Sequence, residues 1–471
     1  MDSLCGLDAG ALLAGYAARR FSPSDVMEAV VARIALWEPQ LRALYAYDPQ
    51  AALEAAAGST RRWQAGAPEG VLDGVPVTLK ELIATRGTPV PLGSAATVLV
   101  PAERDAPPAA RLREAGAIIL AKTTAPDLGM LSSGLSSFHP LARNPWDLAT
   151  NPGGSSAGAA SAAAAGYGPL HVGTDIGGSV RLPAAWCGLV GFKPSFGRIP
   201  IDPYYTGRCA GPMTRTVADA ARLMHVLSRP DERDATSLPP QRIDWDMPLY
   251  DITGLRIGLM QDAGCGMTPD PEIAAGVEAA ARVFEGAGAV IVPVRPVLTR
   301  EILDGIDIYW RARAWGDIAG MEPERQAKIL PYILDWARIG AGVSGPDAVA
   351  GYGCTFALRR LCAALFAEVD VVLSPTTPNL CFPAEWASPL NDPARPFEHI
   401  AYTLPWNMSE QPAISLNCGF SAGGTPIGLQ IVTRRFADQQ AIQLARWFET
   451  RRGPIAWPGP PAPRGGQANM I

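Results

Sequence analysis

The sequence predicts an α/β protein built on a layered sheet. Three observations carry this. Segments of helical periodicity alternate with short β-prone runs along the whole chain. No repeat of fixed period recurs, so the layers are not those of a solenoid. A hydrophobic share of 48% against 18% charged residues, over 471 positions, supplies a sizeable core and argues against a disordered interaction protein.

Near the N-terminus, Ser22-Pro23-Ser24-Asp25 offers an N-cap with proline at the first helical position, and Val26, Val30, Val31, Ile34 and Leu36 continue it at near-helical spacing. Gly74 to Leu79 is a short β-prone run that delivers Lys80 at a strand end. Residues 108–122 read as helix, glycine stop and buried strand. Residues 274–294 repeat that grammar, with Gly286, Gly288 and a strand from Val290 to Val294. The stretch 151–195 is dense in Gly, Ser and Ala. It is no linker, because an alanine run from Ser161 to Gly166 favours helix and apolar residues thread the remainder. The Pro/Gly-rich tail reads as an extended or frayed end.

Composition excludes several functions. A formal net charge of −5 gives no general attraction to phosphates, and Arg434, Arg435, Arg446, Arg451 and Arg452 read as the solvated face of a late helix, so no nucleic-acid partner is expected. Eight scattered cysteines without a CxxC pair read as reduced thiols. Four histidines, His139, His171, His225 and His399, lack metal-ligand spacing, so no metal is expected. No signal peptide and no apolar run near 18 residues is evident, which predicts a soluble, cytoplasmic protein without a membrane partner.

The chemistry concentrates in two glycine-rich motifs, Gly153-Gly154-Ser155-Ser156-Ala157-Gly158 and Gly173-Thr174-Asp175-Ile176-Gly177-Gly178-Ser179-Val180-Arg181. A nucleophilic serine needs a base for its proton and N–H donors where the oxyanion forms. The amides of Ile176, Gly177, Gly178 and Ser179 are candidate donors. Neither motif contains histidine, so the candidate base is a lysine whose ammonium is disfavoured by burial, and Lys80 after its apolar strand meets that demand. The motif Gly154-Ser155-Ser156-Ala157-Gly158 also satisfies G-x-S-x-G, which would make Ser156 the nucleophile. That elbow needs a strand before it, and Ala149 to Pro152 is a turn.

The order Gly-Val-Pro-Val…Lys80, Gly-Gly-Ser155-Ser156, Gly-Thr174-Asp175-x-Gly-Gly-Ser179-Val-Arg181 resembles the amidase signature family. Arg143 to Trp146, Cys187 to Ser195, Gly211 to Arg215, Ser374 to Pro378 and Gly424 to Gln430 extend the likeness over nearly the whole chain. The resemblance implies a single large α/β/α domain with a central mixed β-sheet covered by helices. Residues 1–65 form a helical region packing on the core and 66–230 the signature core. Residues 231–390 are a variable region shaping the pocket, 391–455 return to the same domain, and 456–471 are the tail. It further implies Ser179 as nucleophile, Ser155 as proton relay through a cis Gly154–Ser155 peptide, and Lys80 as general base, with no metal or cofactor. Ser156, Thr174, Asp175 and Arg181 are then supporting residues. The substrate is a small molecule with an amide, anilide, carbamate or ester bond, and homodimers are common among such enzymes.

Candidate pocket residues are Leu131, Ser132, Tyr204, Tyr205 and Trp310, with Tyr309, Trp315 and Trp336 as further aromatic candidates. An alternative is the glutamine-hydrolysing component of a tRNA-dependent amidotransferase. Where such proteins carry Ser-Thr-Glu-Asn-Ser, this chain reads Ser133-Gly134-Leu135-Ser136-Ser137, and Ser409-Glu410-Gln411-Pro412 replaces a Gly-Asn-Pro pattern. Both departures favour a stand-alone hydrolase with a more apolar pocket.

Overall fold

A computed structural model of the chain describes residues 4–246 and 248–459. Its centre is one mixed sheet of eleven strands. In chain order these are β1 (Leu44–Tyr45), β2 (Pro76–Lys80), β3 (Ile118–Thr123), β4 (Leu170–Asp175), β5 (Val190–Lys193) and β6 (Cys209–Thr214), then β7 (Arg256–Leu259), β8 (Val290–Pro293), β9 (Val371–Pro375), β10 (Ala413–Phe420) and β11 (Pro426–Thr433). Across the sheet they lie β1-β3-β2-β4-β6-β5-β10-β11-β9-β7-β8. β2 pairs in parallel with β3 and β4, and β7 with β8 and β9, while the middle of the sheet is antiparallel. Strands covered on both faces are buried along their whole length, and every residue of β2, β4, β5, β6, β9 and β11 is buried.

The first expected helix spans Pro23–Leu41 and opens on a full capping box, Ser22 receiving the Asp25 N–H while the Asp25 carboxylate receives the Ser22 N–H. The N-terminal region is not wholly helical, because β1 lies within it and pairs with β3. The strand after Gly288 also departs from expectation. It ends at Pro293 and forms the edge of the sheet, so Val290 is exposed instead of buried. The helix Gly345–Glu368 is long and apolar enough to cross a membrane by composition. Leu358, Cys362, Leu365 and Phe366 on it are buried, and it packs beside the helix Arg300–Ala319. No disulfide joins the cysteines among the described residues.

The alanine run forms the helix Ala157–Ala165, every residue of which is buried. Small side chains let it lie against neighbouring backbone. A β-carbon at Gly158 would run into Ala43 O and Thr124 N, so only glycine fits there. The late helix is Asp438–Arg452. Beyond it, Trp457 packs on the body, with the Arg215 guanidinium 4.7 Å from its ring centroid. The rest of the expected frayed tail, 460–471, lies outside the described residues.

Candidate active site

β2 carries Lys80 into the interior, where the side chain is fully buried. Its Nζ donates to Ser155 Oγ at 2.7 Å and to Thr174 Oγ1 at 3.0 Å. Burial disfavours the ammonium, and the nearby Arg208 charge adds to the effect. Glu81 and Asp175 oppose it, and the balance lowers the Lys80 pKa to about 7. An amine lowered in this way gives up its proton far more readily than an exposed lysine and is fit to act as a base.

The Gly154–Ser155 peptide is cis, as the resemblance implied. Ser156, next along, is tied into structure: its Oγ donates to Thr174 O and accepts from Thr174 N, both at 3.2 Å, which removes it as a nucleophile candidate. Ser156 N in turn donates to Ser179 O at 3.3 Å, joining the two motifs directly.

The turn that presents Ser179 runs from the end of β4 into the short helix Arg181–Trp186. Asp175 organises it, accepting from the N–H groups of Gly178 (2.8 Å), Val180 (3.1 Å) and Arg181 (3.4 Å), from both sides of the Arg181 guanidinium and from Asn407. Burial pushes the Asp175 carboxyl up, but Arg181 and Asn407 outweigh it and hold the pKa at about 2. Arg181 also donates to Thr403 O, Gln430 and Asn407, so the buried pair has every charge met.

This arrangement corrects one expected donor. The Gly178 N–H is engaged by Asp175 and is unavailable to an oxyanion. Gly178 has another reason to be glycine: its φ is +129°, and a β-carbon would meet Thr403 and Leu182. Among the described residues the N–H groups of Ile176, Gly177 and Ser179 have no acceptor, and these three residues, unlike Gly178, line a cavity. Ser179 is the most accessible of the three central side chains, at 9% against 3% for Ser155 and none for Lys80. Its Oγ makes no hydrogen bond among the described residues, so the Lys80–Ser155 link is formed and the Ser155–Ser179 link is open.

The cavity above Ser179 contains four of the five expected pocket residues: Leu131, Ser132, Tyr205 and Trp310. Tyr204 does not line it; that residue is 42% exposed, and its neighbour Tyr205 takes the place at the cavity wall. Tyr309 and Trp315 are also absent from the lining, whereas Trp336 is present. Trp310 meets Phe397 edge-on at 5.1 Å, and Trp336 meets the same ring at 5.8 Å. Leu128, Met130, Arg313, Tyr332, Phe397, His399 and Ile400 complete much of the wall and were not anticipated. Arg313 alone had a readable signal, three residues after Trp310 on one helical face. His171, the histidine nearest the motifs, sits inside β4, bonded to Thr78 and Gly168. No group of three or more His, Cys, Asp or Glu that could hold a metal occurs among the described residues.

Known proteins resemble this chain over nearly its whole length. The family model described as Amidase matches residues 25–442. The glutamyl-tRNA(Gln) amidotransferase A subunit of Chloroflexus aurantiacus is 35% identical over 95% of this chain and 97% of its own. An acylamidase of Rhodococcus erythropolis is 32% identical over 96% of both. A bacterial aryl acylamidase of the amidase signature enzymes superposes with a TM-score of 0.85 at 28% identity, covering 95% of this chain and 96% of that one.

Proposed function

The chain belongs to the amidase family, the amidase signature enzymes, and from that premise we propose that it is a stand-alone amidohydrolase acting through an acyl-enzyme on Ser179. The observation that carries this reading is the 2.7 Å contact between a fully buried lysine and Ser155, beside three N–H groups with no acceptor among the described residues. Lys80, as the free amine, draws the Ser155 proton while Ser155 takes that of Ser179, and the Ser179 oxygen bonds to the acyl carbon. This closes the open Ser155–Ser179 link when substrate is bound. The carbonyl oxygen becomes an oxyanion held by the N–H groups of Ile176, Gly177 and Ser179. The C–N bond breaks as Ser155 returns a proton to the leaving amine. Water then attacks the acyl carbon, giving up its proton along the same path, and Ser179 is released with the carboxylic acid.

The aromatic wall suits aryl or alkyl amides, anilides and carbamates. A second reading, the glutamine-hydrolysing component of a tRNA-dependent amidotransferase, is favoured by the relatives that carry that name. Against it, no carboxylate is among the described cavity-lining residues to receive the α-ammonium of glutamine. The test is hydrolysis by the purified chain of aryl amides, anilides, carbamates, esters and glutamine, with Ser179→Ala as control. Cleavage of aryl substrates by the wild type alone supports the hydrolase. Turnover of glutamine only, or only after partner proteins are added, supports the amidotransferase. Activity in Ser179→Ala overturns the mechanism.

A further inference from the structure

We infer that the substrate carries an anionic group, a carboxylate in the simplest case, and that Arg313 receives it. This names the substrate class for the hydrolase proposed above and rests on that reading.

Formal charge is scarce on the cavity wall. Among the described residues, Arg313 is the only Lys, Arg, Asp or Glu lining it. It belongs to the helix Arg300–Ala319, which carries two other arginines facing acids: Arg300 pairs with Glu398 at 2.8 Å and Arg311 with Asp307 at 2.8 Å. Arg313 has no carboxylate within 4.0 Å among the described residues, although Asp317 follows one turn later. What it has is a ring: its guanidinium lies 3.7 Å from the centroid of Tyr205, itself a lining residue. Stacking of that kind uses the face of the guanidinium and leaves its N–H edges for a planar anion.

A second guanidinium shares the ring. Arg208 stands 5.1 Å from the Tyr205 centroid, is buried, and also has no carboxylate within 4.0 Å among the described residues; it donates to Pro203 O. Two like charges gathered at one tyrosine repel, and a bound anion relieves that repulsion. An independent feature of the same wall also calls for a polar ligand. His399 lines the cavity, is 2% exposed, and neither ring nitrogen has a partner among the described residues. Burial lowers its pKa to about 3, so it is a neutral donor and acceptor that adds no charge. The class that fits is an amide, anilide or carbamate with an apolar body and a carboxylate, and without an ammonium.

The test uses two matched pairs of p-nitroanilides and anilides: glutaryl against pentanoyl p-nitroanilide, with the charge on the acyl side, and 4-butyrylaminobenzoate against butyranilide, with the charge on the amine side. Calorimetric binding to Ser179→Ala separates recognition from hydrolysis. The anionic member of at least one pair binds roughly ten- to hundredfold more tightly. That preference disappears in Ser179→Ala/Arg313→Gln, survives in part in Ser179→Ala/Arg313→Lys, and weakens with added salt. Equal or undetectable binding within both pairs, or a preference that survives Arg313→Gln, overturns the inference. If the preference is found but the wild type cleaves neither these four compounds nor the amides, carbamates and esters of the wider panel, the hydrolase reading falls and the anion site stands.

Discussion

The floor and the roof of the cavity handle their polar groups in opposite ways. On the floor, formed by residues 151–195 on the sheet, Asp175, Arg181, Ser156 and Thr174 are locked to one another or to backbone. Around Ser179, three amides are left without acceptors among the described residues. On the roof, brought together from the helix Arg300–Ala319 and the segments 332–336 and 396–400, an arginine lacks an acid and a histidine lacks any partner among the described residues. Unmet polar groups in a buried place are costly unless a ligand meets them. On the function proposed above, the contrast separates what must hold still for chemistry from what waits for substrate.

The most severe losses fall at the chemical centre of the floor. Ser179→Ala and Lys80→Met each lower hydrolysis by roughly 10³–10⁶, measured as kcat with thermal unfolding to show that the fold persists. A Lys80→Met enzyme with near wild-type kcat would remove lysine from the mechanism. Next comes the hold on the floor. Arg181→Met leaves Asp175 charged and buried without its main partner, and stability falls by about 3–5 kcal/mol in denaturant titration. A loss below about 1 kcal/mol would mean that the serine turn is held by other contacts.

Dependence on pH distinguishes a lysine that works from one that only packs. kcat/KM rises with pH and levels off above about 7 as Lys80 loses its proton. Lys122, buried and bonded to Thr85 and the Ile83 carbonyl, is also lowered to about 7, first by burial. Between about 7 and the ordinary lysine value of 10.5 the folded chain holds fewer protons at these two sites than the unfolded chain does. Unfolding takes up protons there, so the stability contribution of both lysines increases with pH across that window. Lys122→Met flattens part of that rise and spares the kinetic limb. Movement of the kinetic limb in that variant would show that the base is not Lys80 alone. The mildest change is on the roof: Trp310→Phe weakens an edge contact worth about 0.5–1.5 kcal/mol, raising KM by less than about tenfold and acting on kcat less.

The same division explains what could be read from the sequence. That the segments carrying Lys80, Ser155 and Ser179 meet in one place was legible from the ordered motifs and the resemblance they carry, and glycines such as Gly158 are dictated by close backbone approach. The role of Gly178 was not, since sequence cannot show that Asp175 already occupies its N–H. Tyr204 and Tyr205 are adjacent and alike, and only the three-dimensional path of the backbone decides which one lines the cavity. Phe397 and His399 escape notice because no local pattern distinguishes a cavity wall from ordinary core. The edge strand β8 is hidden for a similar reason, as its apolar composition does not reveal that no described strand pairs with its far side.

The seam at Thr124 has a practical consequence for anyone who shortens the chain. Thr124 N donates to Ala43 O at 2.9 Å, and Thr124 O receives Gly158 N at 3.1 Å. The N-terminal arm is thus stitched, through one residue, to the first turn of the helix that follows Ser155 and Ser156. A truncation starting at residue 66 would strip the wall against which that glycine lies, and the serines would lose their alignment although every motif remained in the expressed product.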